Sequence, residues 1–145
     1  MKNEGNIGLL LEAFVNKVSH PRGRALALLT KASVTVDQAI LLNFALLNPG
    51  STASSLATTM NLSLPSISQM IERLAKQGLV RRIEDPLDRR RKVIEVTAKT
   101  KTFLSKLKVV RSEEFVAGTA ALSQETRRRL ISVLTDALNE LSARE

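Results

Sequence analysis

The chain carries its densest charge in one short segment. Residues 81–92 include six Lys or Arg and three acidic side chains, whereas residues 38–71 include no charged side chain. The centre of the basic segment consists of Asp88, Arg89, Arg90 and Arg91. An Arg at the tip of a hairpin gains from the negative potential of a narrow DNA minor groove, and Asp88, two positions earlier, can hold the guanidinium of Arg90 in place. The alternative interpretation is a solubilising charged turn.

A second set of side chains is polar and nearly uncharged. Ile67, Met70, Ile71 and Leu74 have the spacing of the inner face of a helix. The opposite face then carries Pro65, Ser66, Gln69, Arg73 and Lys76, with Ser68 at its flank. In the DNA major groove, Gln can pair with adenine, Ser with several base edges, and Arg with guanine or phosphate. The alternative is a plain solvated helix face, but Lys and Glu are absent from the first half of this helix.

The polar helix is the second of a predicted pair. The first helix begins after Ser51 or Thr52, and the second has Ser63 as its N-cap and ends at Gly78. Half of residues 51–68 are Ser or Thr, so the alternative is a flexible linker. The helical spacing of the apolar residues argues against a linker and predicts a helix-turn-helix.

The hydrophobic period changes to two after Gly78, which predicts strands at about residues 79–84 and 93–97. A helix-turn-helix followed by a basic hairpin is typical of a winged helix. Its second helix fits the major groove of B-DNA, which is about 12 Å wide, and its hairpin tip fits the narrower minor groove. The sequence therefore predicts double-stranded DNA as the partner.

Apolar stripes predict further helices on both sides of this region. Five further helices are predicted outside the pair, at residues 7–18, 24–30, 36–47, 98–118 and about 124–141. Thr35 and Gln38 form a capping box that opens the helix over residues 36–47. We expect this helix to be buried in the middle of the fold, because it is apolar on nearly every side.

We therefore expect a mainly α fold with a small β-wing (α+β): a winged helix-turn-helix with N- and C-terminal dimerisation helices. The expected segments are residues 1–30 (N-terminal dimerisation helix and connector), 31–100 (winged helix-turn-helix) and 101–145 (C-terminal dimerisation helices). The apolar helix faces outside the winged helix must be buried against another surface, and a second copy of the chain can provide that surface. Two recognition helices related by a twofold axis would read a pseudo-palindromic operator with half-sites ~10 bp apart.

The composition excludes several classes of function. The chain has no Cys and a single His, His20, so we expect no disulfide, thiol chemistry, metal site or cofactor. It shows no Gly-rich phosphate loop and no catalytic triad spacing, which argues against an enzyme. Its longest apolar stretch, residues 39–47, is far shorter than the ~20 residues of a membrane span. Without a recognisable secretory signal, we expect a cytoplasmic protein with no membrane partner.

The charge balance agrees with a DNA partner. The net charge is +8, which suits an anionic polymer or surface. Residues 31–101 hold eleven basic and six acidic side chains, so they contribute +5 of this total. Arg127, Arg128 and Arg129 are consecutive and point three ways around a helix, so we interpret them as a solvated face and not as a second DNA contact.

These residues resemble the MarR family of bacterial transcription regulators over most of the chain. The resemblance rests on Ser54-Ser55-Leu56-Ala57, Ser66-Ile67-Ser68-Gln69, Gly78-Leu79-Val80-Arg81-Arg82 and, above all, Asp85-Pro86-Leu87-Asp88-Arg89-Arg90 followed by Val96-Thr97. It implies an obligate homodimer whose first and last two helices intertwine, and it matches Asp88 and Arg90 to the family's wing pair. Thr100 is a departure, because such proteins usually have Gly shortly after the Thr that starts the long helix.

The resemblance also implies a small-molecule effector. MarR-like proteins commonly bind small aromatic or phenolic anions in a crevice between the dimer helices and the winged helix, which weakens DNA binding. Such a pocket needs a cation and apolar walls. The candidates are Phe14, His20, Arg22, Arg24 and Phe44, and the alternative is that they cap and pack.

We therefore predict a dimeric, sequence-specific transcriptional regulator of the MarR type, a repressor relieved by a small ligand. The alternative within DNA-binding proteins is an architectural winged helix with little sequence preference. Only the regulator should bind its specific DNA with an affinity ~10³-fold or more above its affinity for non-specific DNA.

Overall fold

The computed structural model describes residues 5–20 and 23–143. The elements of this part of the chain are α1 (Ile7–Val18), α2 (Arg24–Lys31), α3 (Val36–Leu47), α4 (Ala53–Met60), α5 (Leu64–Lys76), β1 (Val80–Glu84), β2 (Lys92–Val96), α6 (Ala98–Gly118) and α7 (Gln124–Ser142). The predicted α+β fold with a small wing is confirmed, since every predicted element forms close to its expected bounds. Within the described residues no single helix is long and apolar enough to span a membrane. Helices α2 and α3 taken together, with a bend of 88° between them, have the length and composition of a span.

The chain divides into two compact units. The central unit is residues 24–111, and the terminal unit combines residues 1–23 with residues 112–145. The expected segments 1–30, 31–100 and 101–145 divide the chain at other positions. Both α2 and the first part of α6 belong to the central unit because Leu29, Phe103 and Leu107 pack on its core.

The core of the central unit draws on its helices and on both strands. Its fully buried side chains include Leu41 and Leu42 of α3, Leu56 of α4, Ile67, Ile71 and Leu74 of α5, and Val80 of β1. Ile94 and Val96 complete the core from β2. Because α5 and the wing strands share one core, the wing and the second helix of the pair have a fixed relative position.

Helix α3 is buried along one face only. Its capping box is present, with Thr35 Oγ1 accepting from Gln38 N at 3.2 Å and Gln38 Oε1 accepting from Thr35 N at 3.0 Å. The buried residues are Gln38, Leu41, Leu42 and Ala45, and the exposed large ones are Val36, Ile40 and Leu47. Helix α3 thus contributes to the core, but its burial is incomplete in the single chain, because α4 and β2 pack on one face and leave the other exposed.

Two threonines tie the start of α6 to the start of β1. Thr97 Oγ1 donates to Gly78 O at 2.8 Å, and Thr97 N donates to Leu79 O at 3.1 Å. Thr100 is fully buried, and its hydroxyl donates to the same Leu79 oxygen. A Gly at position 100 would lack this bond, so the departure from the family pattern adds an anchor at the base of the wing.

The terminal unit contains α1, the end of α6, and α7. Gly118 lies where α6 passes α1, and a Cβ there would clash with the carbonyl oxygen of Val18. Arg127 donates from Nη2 to Thr119 O at 3.3 Å and to Ala120 O at 3.2 Å. These bonds occupy carbonyls just beyond the C-terminus of α6. Arg127 therefore stabilises the corner between α6 and α7, a role that the sequence did not predict.

Candidate nucleic-acid interface

Helix α5 has the two faces that its sequence predicts. Ser63 is its N-cap, with Oγ accepting from Ser66 N at 3.3 Å, and Pro65 lies in its first turn. The buried face carries Ile67, Ile71 and Leu74. The opposite face exposes Pro65, Ser66, Gln69 and Arg73, and Ser68 is half-buried at its flank. The structure thus presents the predicted recognition residues together on one accessible surface.

The corner before α5 is built by local hydrogen bonds. Thr52 is the N-cap of α4, and Thr52 and Ser55 satisfy each other's backbone N–H groups at 3.1 and 2.8 Å. Helix α4 ends at Asn61, whose φ of 52° lies in the left-handed region that Asn tolerates. Leu62 N then donates to Ala57 O at 3.0 Å and closes the turn. The predicted helix-turn-helix is confirmed, with Thr52 as the N-cap.

The wing is attached to this helix pair through its backbone. Strands β1 and β2 pair antiparallel, with Val80 opposite Val96 and Glu84 opposite Lys92. Ile94 N donates to Ser51 O at 2.7 Å, immediately before the N-cap of α4. The root of the wing therefore cannot shift without breaking a main-chain hydrogen bond.

Residues 85–91 form a compact loop at the tip of the wing. Asp85 N donates to Arg91 O, and Arg91 N donates to Asp88 O, both at 2.9 Å. Asp88 Oδ1 accepts from Arg90 N at 3.0 Å. We expected Asp88 to hold the guanidinium of Arg90, but in this structure its carboxylate accepts from the main chain of Arg90 instead. The Asp88 carboxylate sits over the loop backbone, in the manner of an Asx-turn, and orients Arg90 through its main chain.

The basic side chains of the wing differ in whether a carboxylate lies close enough to compensate their charge. Arg91 Nε lies 3.8 Å from Asp85 Oδ2, and Lys92 Nζ lies 2.9 Å from Glu84 Oε1. Arg89 and Arg90 are exposed and have no carboxylate within ion-pair distance among the described residues. The tip of the wing therefore carries two cations whose charge is available to a partner.

A shallow depression joins the wing root to the start of α4. Thr52, Ala53, Ser54, Arg91 and Lys92 line this depression of about 380 Å³. Of these five residues, the sequence predicted only Arg91 as a DNA-binding residue. The N-cap at Thr52 was a visible signal, because a helix N-terminus carries partial positive charge, yet its proximity to Lys92 depends on the fold.

The predicted ligand residues fall in both units. In the terminal unit, Phe14 lines a groove of about 410 Å³ together with Lys17, and His20 is exposed beyond α1. In the central unit, Arg24 is the exposed first residue of α2, and Phe44 packs against the core. Arg22 lies outside the described residues. The assignment of these five residues to a ligand stays a prediction.

Comparisons with known proteins agree with this geometry. Residues 32–91 match the model of the MarR family. No curated protein matches the chain. MepR, a transcription regulator of the multidrug efflux pump MepA of Staphylococcus aureus, is similar in structure, with a TM-score of 0.71 and 20% identity over 94% of this chain and 98% of MepR.

Two further structures share the fold. A complex of S. aureus MepR with DNA has a TM-score of 0.68 and 20% identity, covering 93% of this chain and 97% of MepR. YusO of Bacillus subtilis has a TM-score of 0.70 and 20% identity, covering 92% of each chain. This chain is therefore similar to the MarR family over residues 32–91, and it shares its fold with these proteins.

Proposed function

We propose that this chain is a homodimeric transcriptional regulator that binds a specific sequence of double-stranded DNA. One observation carries the proposal: the central unit presents the exposed polar face of α5 and the uncompensated Arg89 and Arg90 on parts that share one core. Base edges are read by side chains such as Gln and Ser, and narrow minor grooves attract Arg. The two features together suit adjacent grooves of one duplex.

The neutrality of α5 supports sequence-specific reading. Its N-terminal half has no charged side chain, so contacts there depend on hydrogen bonding to bases and not on attraction to phosphates. Arg73 and Lys76 lie in the last turns, where Lys76 pairs with Glu72 at 3.3 Å. The known complex of MepR with DNA supports the proposal as a property of a protein with the same fold.

The exposed apolar surface of the terminal unit supports the homodimer. Its large exposed apolar residues are Ile7, Leu9, Leu10, Leu11, Val15, Phe115, Val116, Ile131, Val133, Leu134, Leu138 and Leu141. Large exposed apolar surfaces are uncommon on monomeric proteins and often mark protein–protein contacts. A second copy would bury these faces and place two α5 helices on a pseudo-palindromic operator with half-sites ~10 bp apart.

Repression relieved by a ligand is the finer part of the proposal. A dimer bound across its operator would block other proteins from the same DNA. The groove beside Phe14 has apolar walls, including Val18 and Leu122, and Lys17 supplies a cation. This chemistry suits a small aromatic anion. Benzoate should therefore weaken DNA binding by the wild type but not by Lys17→Gln, and equal effects on both would contradict this assignment.

The decisive experiment separates a regulator from an architectural protein. Bound fragments are first selected from random duplexes, and fluorescence anisotropy then measures affinity for selected and scrambled duplexes over a salt series. We expect selected duplexes to bind ~10³-fold or more tightly than scrambled ones, with both affinities falling as salt rises. Equal affinities would favour the architectural alternative, and no binding to any duplex would reject both.

A further inference from the structure

Arg81 and Arg82 are adjacent in β1 but lie on opposite faces of the wing. In the strand register, Arg81 is opposite Glu95, and Arg82 is opposite Ile94. Ile94 is buried, as is Val80, which lies on the same face of β1 as Arg82. Successive side chains of a strand alternate between faces. Arg82 therefore leaves the sheet on the side of the core and of α5, and Arg81 leaves it on the other side.

The two guanidinium groups have different partners. Arg81 Nη2 lies 3.5 Å from Glu95 Oε2, so a carboxylate compensates its charge. Arg82 Nη2 donates to Ser68 O on α5 at 3.4 Å, and no carboxylate of the described residues lies within ion-pair distance of it. A guanidinium has five N–H donors, and this single long bond leaves most of them available. Arg82 is therefore a cation held at the junction of α5 and the wing, and its charge is not compensated.

We propose that Arg82 binds a phosphate of the DNA backbone between the two grooves that α5 and the wing occupy. This inference rests on the proposed function. A helix in the major groove and a hairpin tip in the neighbouring minor groove must lie on either side of one sugar–phosphate strand. In such a complex the guanidinium that bridges α5 and β1 would lie at the level of that strand, and Arg binds phosphate oxygens well.

The bond to Ser68 gives this contact a second consequence. Ser68 precedes Gln69, which is exposed on the recognition face. Because Arg82 contacts the backbone of α5 beside Gln69, a phosphate bound by Arg82 sets the depth and register of α5 in the major groove. Phosphate contacts of this type position a protein without carrying sequence information themselves.

The test compares matched variants in anisotropy titrations at several salt concentrations. Arg82→Gln removes the charge but keeps a side chain of similar polarity, and Arg81→Gln removes the same charge from the neighbouring position. We expect Arg82→Gln to reduce the slope of log K against log salt by about 0.9, so that its affinity loss between about 50 and 200 mM salt is roughly threefold smaller than that of the wild type. Its affinity should fall to a similar extent on selected and scrambled duplexes.

The Arg81→Gln control and one further variant, Arg82→Lys, make the outcome unambiguous. Arg81→Gln should keep the wild-type slope, and Arg82→Lys should restore it because the positive charge is retained. Equal slopes for Arg82→Gln and Arg81→Gln, with the wild type binding its selected duplex, would overturn the role of Arg82 and leave the proposed function intact. No binding by the wild type to any duplex would overturn both. Circular dichroism of each variant verifies that its fold is unchanged.

Discussion

The central and terminal units differ in how much of their apolar surface a single chain covers. Of the seventeen buried hydrophobic residues, sixteen lie in the central unit, and the described part of the terminal unit contributes only Val18. Helix α7 has a clear apolar stripe but no buried residue. The central unit thus has its own core, whereas the terminal unit leaves most of its large apolar side chains exposed in the single chain. The surface proposed to read DNA is built on the unit that one copy stabilises.

The largest effect is expected from charged residues placed on the apolar stripe of α7, which test whether the terminal unit associates through this face. Leu134 is 44% and Leu138 is 62% exposed in the single chain, so Leu134→Glu with Leu138→Glu leaves one copy intact. In a dimer, these carboxylates would be buried without partners. We expect association to weaken by about 4 kcal/mol or more, roughly a thousandfold, as measured by sedimentation equilibrium.

The matched control for this pair is Ser132→Glu, a charge on α7 outside the apolar stripe. Ser132→Glu should leave the association constant within a few-fold of wild type. If the double variant stays associated at the wild-type level, α7 does not form the dimer contact, and the contrast between the units needs another explanation.

Removing a core side chain tests the other half of the comparison. Leu41 is fully buried in the central unit, and Leu41→Ala should lower the free energy of unfolding by about 2 to 5 kcal/mol in urea titrations. Leu47 lies on the same helix but is 67% exposed, so Leu47→Ala should cost much less. A loss for Leu47→Ala as large as that for Leu41→Ala would mean that a second copy buries the exposed face of α3.

At the wing, Arg90→Ala should weaken binding to the selected duplex by about 1 to 3 kcal/mol and relax the preference for A/T at the minor-groove step. Arg91→Ala is the control, because Arg91 already pairs with Asp85 and should lose less. Fluorescence anisotropy on duplexes with A/T or G/C at that step measures both effects. Unchanged affinity of Arg90→Ala would remove the wing from the interface.

The smallest effect on overall affinity is expected at α5. Gln69→Ala should reduce discrimination at one base pair by about 1 to 3 kcal/mol, because a bidentate contact to adenine is lost, without changing the salt slope. Competition with single-base variants of the selected duplex measures this discrimination. A parallel loss on every sequence would assign Gln69 to the DNA backbone instead.

Much of the fold could be predicted because its signals are local. The capping box at Thr35 and Gln38, the N-cap at Ser63 and the spacing of Ile67, Ile71 and Leu74 each act within a few residues. Such signals fix helix ends and faces whatever the rest of the chain does. The exposed face of α5 followed directly from them.

The remaining features depend on contacts between distant residues or on loop geometry. Which face of α3 is covered depends on where α4 and β2 pack, and periodicity does not encode this placement. The carboxylate of Asp88 reaches a backbone N–H because the loop folds back on itself, whereas spacing alone suggested a contact to the guanidinium of Arg90. The bond from Arg82 to Ser68 joins residues fourteen positions apart and follows from the packing of β1 on α5.

The hydrogen bond between Ile94 N and Ser51 O uses main-chain atoms only. Most replacements of either side chain leave its donor and acceptor in place, with Pro at position 94 as the exception, because Pro has no N–H. The attachment of the hairpin is therefore tolerant of mutational drift, while the arginines at its tip are free to diversify. Evolution can retune which duplexes such a protein prefers without reworking the scaffold that carries the hairpin.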